Sequence, residues 1–151
     1  DDCDFNRFHF RRHEIDLRQF FPSFRDHDTV AIRAHAILSE KDVGHQIPFF
    51  MQPTVGGGGD LRGYHQYRFR DENALVFNLE YRWRVREVLQ LVGFADAGRV
   101  FSRPGQIGLS GLRGSAGVGG RLTLGESLVF GVDFGWSPDG PQLWFRSAHT
   151  F

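Results

Sequence analysis

The feature that most constrains this chain is a regular alternation of apolar and polar side chains. In residues 73–85 the odd positions are mostly apolar, as at Leu75 and Trp83, whereas the even positions include Glu80 and Arg82. Successive side chains of a strand point to opposite faces, while a helix would scatter these residues around its surface. The segment is therefore predicted to be a β-strand with one apolar and one ionic face.

The same alternation recurs and predicts seven strands, in residues 13–21, 30–38, 73–85, 88–100, 112–124, 128–136 and 142–151. Most of them have roughly 9–13 residues, whereas a tilted strand that crosses a bilayer needs about 9–11 and strands of soluble sheets average about 5–6. The lengths favour an all-β fold, an antiparallel transmembrane β-barrel, over a soluble sandwich.

The connections between the predicted strands alternate in length. Residues 22–27, 86–87 and 125–126 are short connections, whereas residues 40–72 and 101–111 are long. Outer-membrane barrels have short periplasmic turns and longer outside loops. Residues 40–72 are therefore predicted to be a long extracellular loop. No helical segment or domain linker is evident, so residues 1–151 are predicted to form a single barrel region.

Composition and spacing argue against several other classes of protein. The formal net charge is zero, which gives no bulk electrostatic reason to expect a nucleic-acid partner. His9 and His13 lie four residues apart, a spacing that suits a metal only on a helix face. Residues 56–59 are all glycine but lack the Gly-Lys-Ser/Thr of a phosphate-binding loop, so loop flexibility is the better interpretation. No metal or cofactor is predicted.

Charged residues on the polar faces are predicted to form an ion network that lines the lumen of the barrel. Opposite charges on neighbouring strands stabilise each other, and the interior of such barrels is polar. A network is favoured over an acid–base pair, and no Ser/His/Asp arrangement has a recognisable signature, so the chain is predicted not to be an enzyme. The network comprises Glu80, Arg82, Arg84, Arg113, Arg121 and Asp133.

Two motifs together carry a family resemblance. The long loop contains Leu61-Arg62-Gly63-Tyr64, and the predicted strand 88–100 contains Gly93-Phe94-Ala95-Asp96-Ala97-Gly98. With Pro48-Phe49-Phe50 and Phe134-Gly135-Trp136-Ser137, they resemble the BamA/TamA-like outer-membrane assembly factors, the bacterial surface-antigen family. The resemblance covers most of the chain, from about residue 13 to residue 151. Each motif alone is weak, but the set is specific.

The resemblance implies roles for particular residues. In that family a long outside loop folds back into the barrel, and its tip arginine pairs with an aspartate on the inner wall. Arg62 would be this arginine, in the tip motif Leu61, Arg62, Gly63 and Tyr64. Asp96 would be its partner, in the wall motif Phe94, Asp96 and Gly98. The alternation independently places Asp96 on the polar face. Phe145 and Phe151 would form the C-terminal signal by which barrels are recognised for assembly.

The resemblance also implies a function and an architecture. The family barrel has sixteen strands, so the chain is expected to be the C-terminal part of a longer barrel. It would act in insertion or translocation of proteins at the bacterial outer membrane. Its partners would be outer-membrane lipid, unfolded or exported outer-membrane proteins, and periplasmic accessory proteins. Three alternatives stay open: a two-partner secretion pore, the membrane anchor of a lipase-like enzyme, and a soluble lipocalin-like binding barrel.

Overall fold

The structure is a computed structural model that describes residues 9–23, 28–42, 44–124 and 127–147. The strands are β1 (Phe10–Pro22), β2 (Thr29–Lys41), β3 (Thr54–Val55), β4 (Phe69–Arg70), β5 (Asn73–Arg86), β6 (Leu89–Phe101), β7 (Arg113–Leu124), β8 (Ser127–Ser137) and β9 (Gly140–Ser147). Two short 3-10 helices, Phe49–Met51 and Pro104–Gln106, lie in connections. A three-residue 3-10 helix is too short to show a helical period, and the described residues contain no α-helix. Neither helix in the described ranges has the length and apolar character needed to cross a membrane.

Seven long strands form one sheet in the order β1-β2-β5-β6-β7-β8-β9, while β3 pairs separately with β4. All of these pairings are antiparallel. Within the part of the chain that is described, β1 and β9 each have one neighbour in the sheet. The prediction of an all-β, antiparallel fold is confirmed.

The strands begin and end close to their predicted boundaries. β1 starts at Phe10, three residues before its predicted start, because Phe10 pairs with Lys41 and the ladder continues from there. Its amphipathic pattern is weak at this end, so pairing rather than alternation sets the boundary. The predicted strand 142–151 is described only to Ser147, and Phe151 lies outside the described residues, as do residues 24–27 and 125–126 of the predicted short turns.

The long loop, residues 42–72 with residue 43 outside the described residues, packs against one face of the sheet, which we call the inner face. β3 and β4 form a small hairpin in this loop. Val55, Leu61 and Tyr64 from the loop join Ala74 and Val76 of β5 in a buried apolar cluster. The even residues of β5 therefore point toward the loop, and this places Glu80 on the covered inner face.

The opposite, outer face of the sheet carries the exposed apolar side chains. Leu79 and Tyr81 of β5 are 47% and 42% exposed, and Leu122 and Phe145 are also exposed. Leu75 is an exception and is buried. The alternation in the sequence thus assigned apolar and polar residues to separate faces, and the apolar face is the one that the loop leaves uncovered.

Glycines on the inner face of β7 make room for larger neighbours. A Cβ atom on Gly117 would lie 2.5 Å from Cζ of Phe94, and one on Gly119 would overlap the carboxylate of Asp133. Close packing is therefore the reason for glycine at these two positions. As a result, the side chains of Phe94 and Asp133 can lie flat against β7, beneath the loop.

Candidate functional site

The strand pairing brings three carboxylates to the inner face. Asp96 of β6 pairs with Asn78 of β5, two residues from Glu80, so Asp96 and Glu80 lie on neighbouring strands. Asp133 of β8 pairs with Gly119 of β7. Glu80, Asp96 and Asp133 are all buried. Buried carboxylates require positive partners or hydrogen-bond donors, because their desolvation is otherwise too unfavourable.

The tip of the loop supplies the central positive partner. The Nη2 atom of Arg62 lies 2.6 Å from Oδ1 of Asp96, and its Nε lies 2.8 Å from Oδ2. The backbone N–H of Arg62 donates to the same Oδ2 at 3.1 Å. Two parallel side-chain bonds fix the guanidinium plane relative to the carboxylate. The structure therefore brings together the two residues that the family resemblance paired.

Arg62 also makes contacts beyond Asp96. Its Nη1 donates to Oε1 of Glu80 at 2.5 Å and lies 3.7 Å from Oδ2 of Asp133. Its Cζ lies 3.5 Å from the ring centroid of Phe94, which is the geometry of a cation–π contact. The side chain of Arg62 is only 2% exposed. One guanidinium from the loop thus contacts three strands of the sheet.

Three further arginines surround the same carboxylates. Arg121 donates from Nη2 to Oε1 of Glu80 at 2.9 Å, and Arg82 donates from Nε to Oε2 at 2.9 Å. Arg146 of β9 places its Nε 2.7 Å from Oδ2 of Asp133, an ion-pair distance without hydrogen-bond alignment. We call the set Arg62, Glu80, Arg82, Asp96, Arg121, Asp133 and Arg146 the inner-face ion cluster.

Two members of the predicted lumen network lie outside this cluster. Arg84 is exposed near the far end of β5, where its backbone N–H donates to Asp28. Arg113 is exposed at the start of β7, with its Cζ 6.0 Å from the ring centroid of Phe69. Their positions along the strands keep both residues away from Glu80 and Asp133.

The other residues of the two motifs determine how closely the loop tip packs against the wall. Leu61 and Tyr64 are buried, and the Tyr64 hydroxyl donates to the carbonyl of Gly114 at 3.2 Å. A Cβ on Gly63 would lie 2.6 Å from Cβ of Ser115. A Cβ on Gly98 would lie 3.3 Å from Cγ1 of Val55. Glycine at these two positions lets the loop backbone approach the wall closely.

The glycines at residues 56–59 have specific local roles. Gly56 and Gly57 adopt φ angles of +124° and +104°, which residues with a side chain rarely adopt. A Cβ on Gly58 would lie 3.2 Å from the ring of Trp144. The carbonyl of Gly59 accepts a hydrogen bond from Nη1 of Arg33 at 3.0 Å. This segment therefore turns the chain toward the tip and contacts side chains of β2 and β9.

The alternation did not lead us to several side chains of the site. Asn78 donates from Nδ2 to Oδ1 of Asp96 at 2.8 Å, and Trp144 donates from Nε1 to the carbonyl of Arg62 at 2.8 Å. Ser137 donates from Oγ to the carbonyl of Gly63 at 2.6 Å. Of these residues, Trp144 could have been placed on the inner face from the sequence, because it lies two residues from Arg146 on the same strand.

Two remaining groups of residues lie apart from the cluster. Phe145 lies on the outer face, with its ring centroid 6.2 Å from that of Phe130, while Phe151 is outside the described residues. His9 places Nδ1 3.0 Å from Oδ2 of Asp42. Among the residues that the structure describes, no group of three or more His, Cys, Asp or Glu side chains could hold a metal ion.

The charge environment of the loop tip also affects Asp60. Burial raises the pKa of Asp60, although Nη1 of Arg33 lies 3.5 Å from its Oδ1. Asp96 adds to this rise in pKa by like-charge repulsion. The charged form of Asp60 is therefore less favoured than it would be in water.

Comparison with known proteins identifies a superfamily and a fold. A family model described as the Omp85 superfamily domain matches residues 4–141. Among curated proteins, no match was found. The solved structure of BamA from Haemophilus ducreyi lacking POTRA domains 1-3 aligns with a TM-score of 0.70 and 13% identity. The alignment covers 90% of this chain and 34% of that chain, so the chain spans about a third of the BamA chain that it matches.

Proposed function

The chain belongs to the Omp85 superfamily, and from this we propose that it is part of an outer-membrane β-barrel that inserts or translocates proteins at the bacterial outer membrane. The match to the fold of the BamA barrel supports this proposal. Its partners would be outer-membrane lipid, unfolded or exported outer-membrane proteins, and periplasmic accessory proteins.

The two faces of the sheet support a place in the bilayer. Leu79, Leu122 and Phe145 expose apolar side chains on the outer face, as a barrel wall in contact with hydrocarbon would. Five of the long strands have 12–14 residues, more than the roughly 9–11 that a tilted membrane strand needs. An open sheet edge is unstable in lipid, so we propose closure with further strands, as in a sixteen-stranded barrel.

The observation that carries the proposal is the buried contact of Arg62 with Asp96 and Glu80. A loop of this length normally has a function when it is ordered in a compact domain. We propose that these ion pairs hold the loop inside the barrel and stabilise the conformation that inserts or translocates other proteins. We assign no enzymatic role to these carboxylates, because Glu80 and Asp96 are both bound by guanidinium groups.

Of the alternatives, a soluble lipocalin-like barrel fits the structure poorly. Such a barrel would enclose its apolar side chains, whereas Leu79 and Tyr81 are exposed and the ionic face is covered. A two-partner secretion pore or a membrane anchor for an enzyme would share the same apolar outer face. The functional test below separates assembly activity from these two.

The test is a charge reversal in cells that depend on this protein. Asp96→Arg should impair the assembly of other outer-membrane proteins, because it places two guanidinium groups in contact. The double variant Arg62→Asp with Asp96→Arg should partly restore assembly. The matched control is Asp139→Arg, which reverses the charge of Asp139 in its exposed ion pair with Arg68, where Nε and Oδ2 are 2.7 Å apart. Normal assembly with Asp96→Arg, at normal protein levels, would contradict the proposal.

A further inference from the structure

Side chains of the last hairpin of the sheet, β8 and β9, bind the backbone of the loop. Three side chains of the hairpin donate hydrogen bonds to loop carbonyls. Nε1 of Trp144 donates to the carbonyl of Arg62 at 2.8 Å, and Oγ of Ser137 donates to that of Gly63 at 2.6 Å. Nη2 of Arg146 donates to the carbonyl of Gly58. Because the acceptors are carbonyls, these bonds depend on the path of the loop and not on its side chains.

Asp133 links the same two parts of the molecule electrostatically. Its side chain is fully buried and accepts no hydrogen bond within the described residues. Oδ2 of Asp133 lies 2.7 Å from Nε of Arg146 on β9, 3.7 Å from Nη1 of Arg62 in the loop, and 3.9 Å from Nη2 of Arg121. A buried charge depends strongly on each of its counter-charges. Displacing Arg62 therefore changes the electrostatic environment that holds Arg146.

Close packing joins the loop and the hairpin as well. A Cβ on Gly58 would lie 3.2 Å from Cδ2 of Trp144, so the indole ring lies directly against this glycine. A Cβ on Gly135 of β8 would lie 2.8 Å from the backbone nitrogen of Gly63. In the described part of the sheet, β9 has only β8 as a neighbouring strand. Contacts with the loop therefore add to the β8 pairing in holding β9 in place, whether or not a further strand pairs with its other edge.

From these contacts we propose that Trp144 and Arg146 are positioning residues that couple the loop tip to the last strand. The loop tip and β9 then behave as one unit: releasing Arg62 from Asp96 loosens β9, and loosening β9 releases the loop tip. Coupling of this kind is reciprocal, because it is a single free energy shared by both sites. The coupling is conformational and does not depend on which protein the barrel inserts or translocates.

The first arm of the test follows β9 when the loop tip is released. In a variant with Trp83→Phe and Trp136→Phe, Trp144 is the single tryptophan of the chain. The readout is acrylamide quenching of its fluorescence in the whole protein, folded in detergent micelles. Adding Asp96→Asn should raise the quenching constant severalfold. Adding Glu72→Gln, which breaks the ion pair with Lys41 at the base of the loop, should leave it unchanged.

The second arm follows the loop when β9 is altered. Trp144→Phe keeps an aromatic side chain but removes the N–H donor and one ring of the indole. It should raise amide hydrogen exchange in residues 57–64 at least about three- to tenfold, the range for one lost hydrogen bond. Arg146→Gln should act in the same direction, and Arg146→Lys should restore part of the protection. Trp136→Phe makes the same chemical change on the outer face and should have no effect on the loop.

The outcomes separate coupling from general destabilisation. Coupling requires that exchange in β5 and β6 stays at the level of the parent protein. A uniform rise across those strands would overturn the proposal, since it would show a structural loss throughout the sheet. Equal loop exchange in Trp144→Phe and Trp136→Phe, or unchanged quenching of Trp144 in Asp96→Asn, would also overturn it. Normal cellular activity of these variants would bear on the proposed function only.

Discussion

Removing the charge of Arg62 should destabilise the protein far more than removing that of Arg68. Both arginines bind a carboxylate at similar distances: Nη2 of Arg62 lies 2.6 Å from Asp96 on β6, and Nε of Arg68 lies 2.7 Å from Asp139 in the β8–β9 connection. They differ in burial. The Arg62 and Asp96 side chains are 2% and 0% exposed, whereas those of Arg68 and Asp139 are 49% and 30% exposed. The two substitutions, Arg62→Met and Arg68→Met, therefore compare a buried arginine that binds two carboxylates with a partly exposed one that binds a single carboxylate.

The expected magnitudes follow from what each substitution leaves behind. Arg62→Met leaves the buried carboxylate of Asp96 without its main counter-charge, which costs about 3–5 kcal/mol in the free energy of unfolding. Arg68→Met breaks an exposed pair and costs less than about 1 kcal/mol. With a urea slope of about 2 kcal/mol/M, the midpoint should fall by about 1.5–2.5 M for Arg62→Met and by less than about 0.5 M for Arg68→Met.

The measurement is urea unfolding of the protein in detergent micelles, followed by far-UV circular dichroism and tryptophan fluorescence. Arg62→Lys should give an intermediate midpoint, because lysine keeps the charge but loses the two-pronged contact with Asp96. Equal midpoints for Arg62→Met and Arg68→Met would refute the claim that burial makes the Arg62 contacts strong.

Three further outcomes can be measured with the same protein. Gly63→Ala should lower the urea midpoint much more than Gly59→Ala, because a Cβ on Gly63 meets Ser115 at 2.6 Å while one on Gly59 meets nothing within 4 Å; equal losses would contradict the close seating of the tip. Leu79→Arg places a charge on the lipid-facing side, which costs about 2–4 kcal/mol near the bilayer centre, and should therefore reduce the yield of protein folded into lipid vesicles. Leu109→Arg, in a connection, should leave the yield unchanged; equal yields for the two variants would argue against lipid contact. Because burial raises the pKa of Asp60, the folded state binds more protons than the unfolded state as pH rises from 3.8, so the parent loses stability across that range. Asp60→Asn should then have a higher free energy of unfolding than the parent at neutral pH, and this difference should vanish below pH 3.8. A difference that does not change with pH would contradict this.

The sequence predicted the faces of the strands better than positions along them. Period-two spacing was sufficient to place Glu80, Asp96 and Arg121 on one face, because a strand has only two faces. It could not show that Arg84 lies away from the cluster. Arg84 is four residues from Glu80, a separation of about 13 Å along a strand. What the alternation leaves open is the register of β6, which brings Asp96 close to Glu80 rather than to Arg84.

The last strand illustrates the same limit. Arg146 shares a face with Trp144, but its contact with Asp133 depends on the β8–β9 register, in which Asp133 pairs with Trp144. That register is set by the short connection at residues 138–139. The hairpin of β3 and β4 has two residues in each strand, too few for any alternation. Its position comes from packing of Val55 against the wall.

The loop tip also gives a reason to expect non-additive behaviour. Arg62 binds Asp96 through its side chain and Trp144 through its carbonyl, so both contacts require the same backbone position. Once Asp96→Asn has loosened that position, Trp144→Phe has less left to remove. The combined loss in the free energy of unfolding should therefore be smaller than the sum of the single losses, by about 1 kcal/mol. Asp96→Asn combined with Trp136→Phe should be additive, because Trp136 projects from the outer face. Additivity in both pairs would show that the side chain and the carbonyl of Arg62 act separately, and would remove the basis for treating the loop tip and β9 as one unit.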